Sequence, residues 1–184
     1  MQHFRLFIAL EIPPEQARSL TASFTSLPLE HPLYRISPAV QFHITLKFLG
    51  DIDILLIPQC ITALENACEG LKPISIELTR GDLRPHGRPR TAIIGVRPVE
   101  ALQGLFMRVD NALAEEGIAH HERRAFHPHI TIARCTAAPS ENDIRALQAW
   151  TIPERALYAD TVTLFQSELK PNGAVYTALN RILL

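Results

Sequence analysis

The pattern His-apolar-Thr-apolar occurs twice, as His43-Ile44-Thr45-Leu46 and as His129-Ile130-Thr131-Ile132, each time in a run rich in β-branched residues. Such alternation predicts strand, where residues i and i+2 share one face and the residue between them points to the other. Each copy therefore sets an imidazole beside a hydroxyl and turns its isoleucine into a core. A single triplet means little, because threonine favours strands and histidine is a common rim residue. Two copies, 129 − 43 = 86 residues apart in a chain of 184, predict two matching halves that face each other across one cleft.

The flanking sequence supports that organisation. A strand over 4–11 is closed by Pro13-Pro14, and Pro14 suits the first turn of a helix to about residue 27, with Ala17, Leu20 and Phe24 on one face. Tyr34-Arg35-Ile36 is a weak strand. The first motif strand runs over 43–49 and is expected to stop at Gly50-Asp51. A helix follows from about 53 to 68, and Pro58 marks either its start or a kink. Strands over 74–78 and 91–96 flank a loop. A second helix, from about 99 to 116, ends at Gly117 and leads to the second motif strand over 129–134. Ser140, with Asp143 three residues on, caps a short helix through about 150. Strands over 161–169 and 174–182 form a hairpin around Pro171-Asn172-Gly173. Strands interleaved with helices, hairpins and few long apolar runs predict a mixed, largely antiparallel α+β fold.

Formal net charge is −1, so no global positive field draws this chain to nucleic acid, and any RNA contact has to be a local patch. The basic loop 84–90 and the pair Arg123-Arg124 lie near strand ends that should border the cleft. No apolar stretch reaches the length of a membrane span. The N-terminal apolar run is short and closed by Glu11, unlike a secretion signal. Cys60, Cys68 and Cys135 lack Cys-x-x-Cys spacing, which predicts reduced thiols in a cytoplasmic protein.

Two facing histidines can hold opposite protonation states near neutral pH, one taking a proton while the other gives one. Cleaving a phosphodiester without a metal needs that pair, while the Thr45 and Thr131 hydroxyls can donate to non-bridging phosphate oxygens. Arg134 could add a charge-assisted contact, but it stands five residues from His129 and shares its face only if the strand bulges or ends first. His3, His31, His86, His120 and His121 have no matching partner and read as surface or loop residues. His127-Pro128-His129 offers two imidazoles, but no Asp or Glu accompanies them, and metal is the weaker reading.

Phe42-His43-Ile44-Thr45-Leu46-Lys47-Phe48-Leu49-Gly50 and Phe126-His127-Pro128-His129-Ile130-Thr131-Ile132-Ala133-Arg134 resemble the paired signatures of the 2H phosphoesterase superfamily, in its bacterial RNA 2′,3′-cyclic phosphodiesterase (2′-5′ RNA ligase) branch. Matching flanks extend the likeness over nearly the whole chain. The resemblance implies one bilobal α+β domain over 1–184, with two pseudo-symmetric lobes, each a mostly antiparallel sheet with flanking helices, around a central cleft. It implies a monomer without cofactor or metal that opens a terminal 2′,3′-cyclic phosphate on RNA to a 2′-phosphate, with reversible 2′-5′ ligation as a related reaction. His43 would be the general acid, His129 the general base, and Thr45, Thr131 and Arg134 the phosphate ligands. His127 departs from the residue more usual at its position, and its role stays open. Two rival readings remain: a phosphodiesterase for a small cyclic phosphate, such as a cyclic nucleotide or cyclic ADP-ribose phosphate, and a non-catalytic module that binds RNA ends.

Overall fold

A computed structural model of the chain describes residues 2–85, 90–97, 99–153, 155–171 and 173–184. In chain order the elements are β1 (His3–Glu11), α1 (Pro14–Thr25), β2 (Tyr34–Ile36), β3 (His43–Asp53), α2 (Ile57–Cys68), β4 (Ile74–Arg84), β5 (Thr91–Val96), α3 (Glu100–Glu115), β6 (His129–Cys135), α4 (Glu141–Gln148), β7 (Ala156–Ala159), β8 (Thr161–Lys170) and β9 (Gly173–Leu183). The nine strands follow the order β7-β4-β5-β6-β3-β1-β8-β9, with β2 beside β6. Every pairing is antiparallel.

Two half-sheets, β7-β4-β5-β6 and β3-β1-β8-β9, meet in one bridge between Ile44 and Ile130. In each half a strand, a helix and a motif strand follow in order, β1-α1-β3 and β5-α3-β6, which reproduces the two matching halves expected from the repeat. One face of the sheet packs on the helices. Leu6, Ile8 and Leu10 of β1, Ile44 and Leu46 of β3, and Ile130, Ile132 and Ala133 of β6 are buried there with Leu20, Phe24, Leu64, Leu102 and Leu105. The opposite face carries a small separate cluster of Phe7, Ala9 and Phe165, with Tyr176 and Ala178 against it.

The structure settles one open expectation and changes others. Pro58 starts α2, one of the two alternatives, with one 3-10 turn, Ile54–Leu56, before it. β4 runs on to Arg84, past the 74–78 expected from alternation. Gly50 does not end β3; it takes φ +75°, opens a bulge opposite Leu6, and the strand continues to Asp53. The short edge strand β7 escaped notice, because its four residues alternate too briefly to stand out from the turns around it. The Ser140 cap and its reciprocal bonds with Asp143 form as expected.

Candidate active site

Register decides which side chains meet. Ile44 and Ile130 are direct partners and fully buried. Counted outward from them along an antiparallel ladder, His43 falls beside Thr131 and Thr45 beside His129, all on the face away from the helices. All four line a single open cleft.

Arg134 reaches that face through a bulge. Thr131 pairs with Ile93 and Ala133 with Ala92, so Ile132 is an extra residue on β6. The insertion shifts the alternation by one and returns Arg134 to the cleft, opposite Thr91. β3 does the same: Thr45 pairs with Ala9 and Lys47 with Ile8, leaving Leu46 extra. Phe48 therefore stands to His43 as Arg134 stands to His129. Around Phe48 the ladder continues to Phe7 and Phe165, while around Arg134 it continues to Thr91 and Arg84 on one side and Arg35 on the other. The cleft is pseudo-symmetric in backbone and unlike in charge, with an aromatic end and a basic end.

Both motif histidines are oriented alike. The Nδ1–H of His43 donates to the Gln41 carbonyl at 2.6 Å, and the Nδ1–H of His129 donates to the His127 carbonyl at 2.9 Å. A carbonyl only accepts, so Nδ1 carries the hydrogen in each ring and Nε2 is left for proton exchange. Their surroundings differ. His43 sits among Phe7, Tyr176 and Phe165, with ring centroids at 5.1, 5.5 and 6.2 Å, whereas His129 is exposed. Burial lowers the His43 pKa below the ordinary imidazole value; the Gln41 carbonyl opposes this, the nearby His129 adds to it, and the Glu11 carboxylate opposes it. Glu11 is the direct partner of His43 on β1 and is held by the Thr163 hydroxyl and by Arg181.

Several sequence candidates find other employment. Arg124 lines the cleft but is bound by both oxygens of Glu122, at 3.1 and 2.9 Å. Arg84 lines it with Asp82 at 3.0 Å. Arg123 and Arg90 do not reach the cleft wall, and residues 86–89 of the basic loop, His86 among them, lie outside the described residues. His127 lines the cleft and its carbonyl fixes the His129 ring. Among the described residues no three His, Cys, Asp or Glu side chains gather to share a metal ion. The sequence reading missed the aromatic end and Arg35. Phe48 and Arg134 each fall five residues after a motif histidine, and that equal offset was the available signal.

Two imidazole Nε2 atoms and two hydroxyls on one wall, with a guanidinium beside them, are the groups that phosphodiester cleavage by proton transfer needs. Fold and cleft together define a two-histidine phosphoesterase. The chain belongs to the 2′-5′ RNA ligase superfamily, whose family model matches residues 12–170. It is 28% identical to an RNA 2′,3′-cyclic phosphodiesterase of Thermus thermophilus, over 98% of this chain and 90% of that one. It is 27% identical to a protein of the same name from Bacillus subtilis, over 89% and 87%. The crystal structure of TT0787 from Thermus thermophilus superposes with TM-score 0.76 at 26% identity, covering 98% of this chain and 97% of the other.

Proposed function

We propose that this protein is an RNA 2′,3′-cyclic phosphodiesterase that opens a terminal cyclic phosphate to a 2′-phosphate without a metal. The observation that carries the reading is the Ile44–Ile130 bridge, which gathers two His-Thr pairs on one cleft wall. Water attacks phosphorus and gives its proton to Nε2 of His129. The bond from phosphorus to the 3′ oxygen breaks as Nε2–H of His43 protonates that oxygen, leaving a 3′ hydroxyl and a 2′-phosphate. Thr45, Thr131 and Arg134 hold the non-bridging oxygens as charge shifts onto them. The names of the relatives at 25–28% identity support the substrate. In the same reading the enzyme works in the cytoplasm. Its three cysteines are free thiols, and no helix among the described residues is long and apolar enough to cross a membrane.

The test is turnover of an oligonucleotide ending in a 2′,3′-cyclic phosphate, with product identified as the 2′- or 3′-phosphate. Activity should survive chelator, and His43→Ala or His129→Ala should each lose about 10²–10⁴-fold in kcat with folding intact. Near-wild-type turnover in either variant overturns the two-histidine mechanism. Tight RNA binding with no product overturns the enzyme reading.

A further inference from the structure

The basic end of the cleft holds more cation than one reacting phosphate requires. Arg84, Thr91, Arg134 and Arg35 are successive direct partners across β4, β5, β6 and β2. All four therefore project from one face, and all four line the cleft. With strands about 4.8 Å apart, the row is about 14 Å long. Arg84 has Asp82 as its carboxylate. Arg35 and Arg134 stand directly opposite each other, and neither has a carboxylate partner among the described residues.

Like charges placed directly opposite destabilise a sheet. That cost disappears when an anion lies between them, and the guanidinium fork is shaped for two phosphate oxygens. The cleft, at about 1740 Å³, also exceeds the roughly 300–1,000 Å³ typical of a small-molecule site. We propose that Arg35, with Arg134, forms a second anion subsite that takes the internucleotide phosphate on the 5′ side of the cyclic end. The substrate is thus an oligonucleotide in preference to a nucleoside cyclic phosphate. This rests on the phosphodiesterase reading above. Arg134 sits between the reacting phosphate and the next one, and Arg35 serves the second alone.

The experiment compares kcat/KM on a dinucleotide ending in a 2′,3′-cyclic phosphate, which has one internucleotide phosphate, with kcat/KM on the mononucleoside 2′,3′-cyclic phosphate. Wild type should prefer the dinucleotide. Arg35→Gln should reduce that preference about tenfold, chiefly through KM, the scale of one hydrogen bond to a charged group. Arg35→Lys should restore most of it. On wild type alone, the slope of log kcat/KM against log salt should be steeper for the dinucleotide by about 0.7, one phosphate contact on a single strand. A wild-type preference near one, equal salt slopes, or an unchanged preference in Arg35→Gln each overturns the subsite while leaving the phosphodiesterase standing. Failure of wild type to open either substrate overturns the phosphodiesterase itself.

Discussion

The two motif histidines share a tautomer and differ in environment, and in the proposed reaction they take opposite roles. A general acid must enter the reaction protonated and a general base neutral, so kcat/KM should be bell-shaped, with one limb lost when either ring is removed. Before substrate binds, burial among Phe7, Phe165 and Tyr176 holds the His43 pKa low. With His129 removed, His43 titrates alone, and the fall of kcat/KM with pH in His129→Ala should have its midpoint below the unperturbed imidazole value of about 6.5. A bound phosphate brings negative charge to the ring and favours imidazolium, so the alkaline limb of kcat should lie at higher pH than that of kcat/KM. Because the two groups are coupled, single variants assign the limbs. His43→Ala should lose the alkaline limb and His129→Ala the acid limb; the opposite pattern reverses the two roles.

At the scale of the element, strand spacing does the placing. Gly95 is the direct partner of His129, and a Cβ there would meet Thr79 Oγ1 at 2.5 Å. Threonine is stiff at χ1, so the clash falls on the β4–β5 pairing beside the His129 strand. Gly95→Ala should cost about 1–3 kcal/mol in denaturant unfolding and lower kcat. Adding Thr79→Ala should recover part of both, with a coupling above about 0.5 kcal/mol; strictly additive losses would show that the approach of Thr79 is not the reason for glycine. The same elements mark where sequence reasoning stopped. Periodicity and caps such as Ser140 are local, so they located both motif strands and every helix from α1 to α4 within a few residues. The extra residues Leu46 and Ile132 are invisible to a strict period of two. Each has a branched apolar side chain and reads as ordinary strand, yet each moves the next cleft residue, Phe48 or Arg134, onto the working face. Arg35 was hidden for a related reason: a three-residue strand carries no pattern, and its meaning comes from the residue opposite.

Across the whole molecule the two half-sheets share only the Ile44–Ile130 bridge among the described residues, so something else must hold one motif strand against the other. The helix side of β3 supplies it. Lys47 points away from the cleft, is almost fully buried, and donates to Asp110 of α3 and, at 2.6 Å, to the His120 carbonyl. Asp110 also accepts from the Glu122 N–H at 3.0 Å and from His121 Nδ1 at 2.9 Å. The irregular stretch that leads from α3 into His129 is thereby fastened to the back of the strand that carries His43. Burial alone would raise the Asp110 pKa, but the Lys47 ammonium, the Glu122 N–H and the His121 ring outweigh it and hold the carboxyl below its usual range. A carboxylate depressed in the folded state contributes stability above its unfolded pKa of about 3.9 and loses it as pH falls through the folded value. Asp110→Ala strands a buried ammonium and should cost about 3–5 kcal/mol near neutral pH. Replacing the pair together, as Lys47→Met with Asp110→Leu, should cost less than the single change, although the His121 and Glu122 contacts are still lost. The stability gap between wild type and Asp110→Asn should narrow below about pH 4, as the native carboxylate is protonated. A pH-independent gap, or an Asp110→Ala protein that melts like wild type, would mean that the halves are held in register by packing of α2 and α3 alone.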